Sequence, residues 1–381
     1  MHTARRKSPA NLTGSLLASL AVVVFATKAE AVDESIEVRV GPMTTVVERE
    51  GITGAGWAVV IRPAERRTVE LIYPNHPDDF GATAGTACSR SVDDGATWTQ
   101  AEDDRPIAGM ADLWQDRLPD GSLVAIGIRH LPDPKLRAFA NGPQPPVDAC
   151  IVGSSLDEGQ SWKFENSVLR CPAEVGLIAR PLPHLLVDRQ GIWLMPAYAW
   201  SRSGNRSVFL ESSDRGLHWD VRGTPATVGA ILEAGANVTT PWLETAVVRT
   251  SNGSLQAIGR TGSSEQAFLV ATRSADDGRT WAPVERLLAG ASRQPVAGKL
   301  PNLLLLPNGA LTLLTAQSKL GCRLYISVDG TGRLWSEAHV LSTAVGSNTS
   351  MICLDDETLL VFMPSNKRIT CRKVTVRRME R

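Results

Sequence analysis

In the stretch WLETAVVRTSNGSLQAIGR, Glu244 and Arg260 stand 16 residues apart with Asn252 and Gly253 between them. An Asn-Gly pair between apolar runs signals a hairpin, and a hairpin closed there returns both residues to one rim. A carboxylate can serve as general base or nucleophile, and a guanidinium presents paired donors in a fixed fork that fits a carboxylate ligand. Two surface charges at strand ends would show the same spacing, so both readings stand. Arg323 and Tyr325, two apart in GCRLYISVDG, share one face of a strand. His76, His130, His184, His218 and His339 show no metal-ligand spacing, and neither a GxSxG elbow nor a phosphate loop occurs. No metal or cofactor is therefore expected. His184, in RPLPHLLV, could face a pocket, although a satisfied core histidine is the preferred reading.

The elements that must position these groups repeat. SxDxGxxW occurs as SVDDGATW, SLDEGQSW, SSDRGLHW and SADDGRTW, and SVDGTGRLW carries one extra residue. Their opening serines, Ser91, Ser155, Ser212, Ser274 and Ser327, fall at intervals of 64, 57, 62 and 53 residues. In each copy the Asp can accept backbone amides, the Gly can adopt a shape that a Cβ forbids, and the Trp plugs a core. Between copies runs a turn and an apolar strand: PDGSLVAIGIR, DRQGIWLMPAY, SNGSLQAIGR, PNGALTLLTAQ, LDDETLLVFMP. Each unit reads as four antiparallel strands, and a long repeat of such units describes an all-β, six-bladed β-propeller of four-stranded blades. The spare strand DESIEVRV could close the ring against RITCRKVTVRR.

Residues 1–31 read as a signal peptide, with Arg5, Arg6 and Lys7 before an apolar run and Ala29 and Ala31 as an AxA cleavage site. The propeller then occupies 32–381, and the mature chain is expected to be secreted or periplasmic, with no membrane attachment. Removing the leader leaves 36 basic against 39 acidic side chains, net −3, which argues against a nucleic-acid partner. The six cysteines, Cys88, Cys150, Cys171, Cys322, Cys353 and Cys371, could form up to three disulfides or remain as buried thiols.

The repeated turns resemble the Asp boxes of the sialidase superfamily, whose members are six-bladed propellers. The resemblance covers essentially the whole chain after the leader. It implies that Asp93, Asp157, Asp214 and Asp276 are fold residues on the blade periphery, and that Trp98, Trp162, Trp219, Trp281 and Trp335 are plugs. Trp57, Trp114, Trp193, Trp200 and Trp242 remain as sugar platforms or core. In that family three arginines clamp the sugar's carboxylate, an Asp is the acid/base, and a Tyr activated by a Glu is the nucleophile. By resemblance Glu244 and Arg260 take the places of the Glu and the second arginine, Arg323 that of the third, and Asp79, in YPNHPDDFG, that of the acid. Two departures stand out. The first blade, TGAGWAVVIRP, has no arginine in the expected place, the nearest wording being that around Arg180. Thr349 or Ser350 replaces the tyrosine.

The expectation is a sialidase-like exo-glycoside hydrolase with a glycan ligand, a sialic or other acidic terminal sugar, with Glu244 and Asp79 catalytic and Arg260 and Arg323 binding substrate. A non-catalytic glycan-binding propeller, or a structural one, is the alternative.

Overall fold

The SxDxGxxW copies fold as one turn repeated. Ser91 Oγ donates to Asp93 Oδ1 and accepts the Gly95 amide, both at 2.8 Å. Asp93 in turn accepts the Thr97 amide at 2.8 Å and its hydroxyl at 2.6 Å. The copies at Ser155, Ser212 and Ser274 repeat the two serine bonds at 2.8–2.9 Å, and the longer copy keeps them at 2.9 and 3.1 Å. Asp94, Glu158, Arg215 and Asp277 take φ of 57–59°, and the glycines after them φ of 82–88°. A Cβ on Gly278 would stand 2.3 Å from the Phe209 ring, and one on Gly95 2.7 Å from Leu360. The glycine thus serves both the left-handed turn and its close docking on a neighbouring sheet.

The computed structural model describes residues 36–48, 57–61, 68–74, 86–101, 110–129, 150–172, 175, 177–200, 206–235, 244–262, 267–317, 319–343, 348–365 and 367–379. The expected leader, Asp79 and Trp242 lie outside them. Strand β1 (Ile36–Glu48) is followed by β2 (Trp57–Ile61), β3 (Thr68–Pro74), β4 (Thr86–Ser91) and β5 (Thr99–Ala101), of which β2 to β5 form an antiparallel sheet. Next come β6 (Met110–Arg117), β7 (Leu123–Arg129), β8 (Cys150–Ser155) and β9 (Lys163–Arg170). Then follow β10 (Leu177–Pro181), β11 (Leu186–Val187), β12 (Trp193–Trp200), β13 (Arg206–Ser212) and β14 (His218–Thr227). All nine belong to one sheet, because β9 and β14 pair in parallel, His218 beside Val168 and Asp220 beside Arg170.

A short helix α1 (Val228–Glu233), capped by the Thr227 hydroxyl, leads on to the next sheet. Its strands are β15 (Thr245–Arg249), β16 (Leu255–Arg260), β17 (Leu269–Ser274) and β18 (Glu285–Arg286). A small hairpin, β19 (Leu288–Ala289) and β20 (Gln294–Pro295), precedes a sheet of β21 (Lys299–Leu305), β22 (Leu311–Gln317), β23 (Gly321–Ser327) and β24 (His339–Ser342). Finally β25 (Ser350–Cys353), β26 (Thr358–Ser365) and β27 (Arg368–Arg378) form a sheet whose outer strand is β1, paired antiparallel with β27. The N-proximal strand was expected to meet this segment, and it does.

Middle strands such as β16 and β22 are buried along their whole length, their polar Gln256, Thr312 and Thr315 included. Their entry turns share one design. The Leu118 amide bonds the Ser122 carbonyl at 2.8 Å, with Gly121 at φ 86°, and Thr250 to Ser254 and Leu306 to Ala310 repeat the bond at 2.9 Å. Asp120, Asn252 and Asn308 each accept the amide two residues on at 3.0–3.1 Å. The loops are therefore three residues with a left-handed glycine, one residue longer than the tightest hairpin.

Apolar clusters join the sheets in sequence. Trp114, Ile126 and Val152 meet Trp193, Met195 and Trp219; Leu194 and Phe209 meet Val247 and Leu255; Ile258 and Leu269 meet Leu303 and Tyr325. Leu314 and Leu324 meet Val361 and Val374, while Leu360 and Phe362 meet Val69 and Leu71, from the sheet at the other end of the order. Of the five turn tryptophans, Trp219 and Trp335 are buried, but Trp98, Trp162 and Trp281 are only half-buried. Trp281 donates to the carbonyl of Gly278 in its own turn, as the buried Trp335 does to that of Gly332, so the bond is common to both degrees of burial. Trp114 and Trp193 are core residues, not platforms. All six cysteines are free thiols, four of them buried.

Candidate functional site

Glu244 immediately precedes β15 and Arg260 ends β16, where the Arg260 amide bonds the Glu244 carbonyl at 3.3 Å. Between them, Gly259 pairs with Thr245, and its missing Cβ would lie 2.8 Å from the Thr245 hydroxyl. That close approach lets the side chains meet: Arg260 Nη2 donates to Glu244 Oε1 at 3.0 Å and Nε lies 3.0 Å from Oε2. The residues are 6 % and 9 % exposed, so this is a buried ion pair joined by one hydrogen bond rather than two surface charges.

Glu244 lines a pocket with residues from two other strand entries, His184 between β10 and β11 and Leu300 near the start of β21. Both have positive φ, 72° at His184 and 41° at Leu300. The Leu182 amide bonds the Pro196 carbonyl at 2.8 Å and the Leu185 amide bonds Asp116 Oδ2 at 3.1 Å, so His184 sits on a bulge pinned at both sides. Its Nδ1 lies 3.7 Å from Asp116 Oδ2. Leu300 lies in the irregularity of β21, between Lys299 and Asn302. Asn302 donates to the Leu300 carbonyl at 3.2 Å and to the Thr349 carbonyl at 2.9 Å, tying this edge to the entry of β25.

The structure thus brings Glu244 and Arg260 together. Arg323 stands on β23, the third strand of the following sheet, where its Nε donates to the Leu320 carbonyl at 3.2 Å and its positive charge lies near the Tyr325 hydroxyl. Tyr325 is a core residue, and burial raises its hydroxyl pKa, opposed by Arg323 and reinforced by Glu337. Thr349 is fully buried and Ser350 3 % exposed, so neither hydroxyl is presented to solvent. In the sequence His184 can face a pocket but reads more simply as a core histidine, and nothing there singles out Asp116 or Leu300. The hint lay in RPLPHLL and KLPN, where prolines beside a strand break its ladder. Among the described residues no group of three or more His, Cys, Asp or Glu is placed to hold a metal ion, and no helix is long and apolar enough to cross a membrane.

A nearly all-β chain of successive packed sheets, with a buried carboxylate at a pocket between strand entries, has the fold of the sialidase-like propeller glycoside hydrolases. Residues 128–356 match the family described as BNR repeat-like domain, and the chain belongs to it, within the sialidase-like superfamily. A comparison with curated protein sequences finds no match. Among solved structures, a Dyadobacter fermentans protein of unknown function is similar at TM-score 0.66 and 19 % identity, covering 89 % of this chain and 99 % of its own. The Penicillium chrysogenum α-L-arabinanase complexed with arabinobiose is similar at TM-score 0.57 and 16 % identity, covering 88 % and 98 %. The Trypanosoma rangeli sialidase in complex with sialic acid is similar at TM-score 0.54 and 14 % identity, covering 91 % of this chain and 59 % of its own.

Proposed function

We propose that this chain is an exo-acting glycoside hydrolase that binds a terminal sugar at the mouth of the water-sized pocket beside Glu244. The observation that carries the reading is the buried Glu244 carboxylate, oriented by the Arg260 guanidinium and facing a pocket between three strand entries. Glu244 acts as base or nucleophile at the anomeric carbon, and Asp79 as the acid for the leaving oxygen. The architecture proposed is six four-stranded blades, supported by the succession of packed sheets and by β1 on β27. The first 31 residues support export through a cleaved leader, which intact-mass measurement of secreted protein tests.

Arg260 is paired with Glu244, and Arg323 donates through Nε to the Leu320 carbonyl, so neither guanidinium stands unengaged. That supports a neutral sugar. The acidic-sugar reading rests on the two arginines rearranging around a carboxylate and on the likeness to a sialidase. The buried Thr349 and Ser350 hydroxyls favour a second reading, a propeller that binds glycan without cleaving it. Aryl release from 4-nitrophenyl α-L-arabinofuranoside, β-D-galactoside and an N-acetylneuraminide, per folded molecule, distinguishes these. Glu244→Gln should lower turnover at least about a hundredfold with sugar binding retained. Unchanged hydrolysis in the variant would remove Glu244 from the chemistry, and binding without any hydrolysis would leave the second reading.

A further inference from the structure

Seven non-glycine residues among those described have positive φ. Four belong to the repeated turns, and Arg293 lies in the β19–β20 turn. The remaining two, His184 and Leu300, both line the pocket of Glu244. Such a conformation disfavours any residue with a Cβ and persists where its surroundings over-determine it, which concentrates it at ligand sites.

The surroundings of His184 point the same way. Asp116 accepts the Leu185 amide through Oδ2 and the Arg117 amide through Oδ1, which fixes its carboxylate beside His184 Nδ1. A neutral ring with its proton on Nδ1, toward that carboxylate, leaves Nε2 as an acceptor. Nε2 is buried and has no hydrogen-bond partner among the described residues, although buried polar atoms ordinarily have one. The pocket therefore offers Nε2 beside the Glu244–Arg260 ion pair, whose charges offset each other, and no further lysine or arginine among its described lining residues. An acceptor nitrogen calls for a ligand with a donor hydroxyl, and no described lining residue supplies a cation for a carboxylate.

We propose that His184 is a ligand-binding residue of this pocket, its Nε2 accepting a hydrogen bond from a hydroxyl of a neutral sugar, with Asp116 as the positioning residue. This rests on the pocket being the sugar site, as above, and names a recognition contact and a substrate class for it.

The test uses the full chain labelled with ¹⁵N-histidine. The His184 imidazole signals are those lost in His184→Gln, or are found by elimination through Gln variants of the other five histidines if that protein does not fold. The Nδ1-protonated tautomer is expected, because Nδ1 faces the Asp116 carboxylate. Adding L-arabinose, arabinobiose or D-galactose to about 100 mM, enough to fill a millimolar site, should move the Nε2 resonance. Asp116→Asn, which removes the charge 3.7 Å from Nδ1, should weaken that response about threefold. His184→Gly removes the left-handed strain, so it should melt within about 3 °C of wild type while sugar affinity falls at least tenfold. A His184 signal indifferent to every neutral sugar, or moved by N-acetylneuraminic acid alone, overturns the proposal. So does a His184→Gly protein that melts far lower with affinity unchanged. Sugar binding at His184 without glycoside cleavage would remove the hydrolase reading and keep this one; cleavage with a silent His184 would do the reverse.

Discussion

Cutting the Glu244–Arg260 ion pair should reveal how deeply it is embedded. Arg260→Met fills much of the same volume but leaves the Glu244 carboxylate, 7 % exposed in its side chain, without its guanidinium. Removing one partner of a buried pair costs about 3 to 5 kcal/mol, because the other charge stays desolvated. The lower end, about 3 kcal/mol, is expected here, since the pocket lets water approach Glu244 once the guanidinium has gone. With an m-value of about 3 kcal/mol/M in urea, that lowers the unfolding midpoint by about 1 M. Glu244→Gln strands the guanidinium in the same way. The double variant Glu244→Gln/Arg260→Met strands neither, and should be about 2 kcal/mol more stable than the sum of the single losses implies. The assay is urea unfolding followed by tryptophan fluorescence on the four proteins of this cycle. A coupling energy below about 0.5 kcal/mol would refute the buried ion pair, because contacts of this kind do not give additive cycles.

Trp219→Ala should cost about 4 kcal/mol and the half-buried Trp281→Ala about 2 kcal/mol, so equal losses in the same unfolding assay would contradict the burial difference. Hydrogen bonds from Ser161 and Thr280 hold the Asp157 and Asp276 carboxyls down at about 2, below the unfolded value of about 3.9. A depressed carboxyl favours the fold while ionised, so this stability is complete above about pH 4 and is lost as pH falls through about 2; Asp157→Asn and Asp276→Asn should flatten the acid limb of the urea midpoint, and parallel limbs would count against the turn bonds. Burial pushes the Cys150 and Cys322 thiols up to about 12 and Cys371 to about 11. Ellman's reagent at about pH 8 should therefore reach no more than Cys171 and Cys353 in the native protein and all six thiols after denaturation, and rapid native labelling of Cys150 would contradict its burial.

The repeated turns were legible because their chemistry is local: Ser, Asp and Gly bond within five residues, and the same bonds recur at every copy. The Glu244–Arg260 meeting was legible for a related reason, since the Asn252–Gly253 turn sets the register that carries both to one end. What failed to show was non-local. No residue in β9 or β14 signals their parallel pairing, which depends on how two separate sheets come to lie edge to edge. Arg323 reads like a clamp residue in isolation, yet its strand lies between β22 and β24, and its Nε is taken by the Leu320 carbonyl. His184 was read as core because a lone histidine among Leu and Pro resembles one. Its left-handed backbone and the approach of Asp116, 68 residues away in the chain, are tertiary facts.

The partnership of β1 with β27 has a consequence for the order of events during synthesis. Residue 48 leaves the ribosome 320 residues before residue 368, an interval on the order of half a minute at ordinary elongation rates. Throughout it β1 is a strand without its neighbour. Val40 and Met43 stay exposed even when it is paired, and Val46 is the one residue of the strand that becomes buried. Glu37, Arg39 and Glu48 punctuate it with charge of both signs, the means by which waiting edges are kept from adding to other chains. A chain that stopped short of β27 would lose two strands for the length of one, because β1 would have nowhere to go.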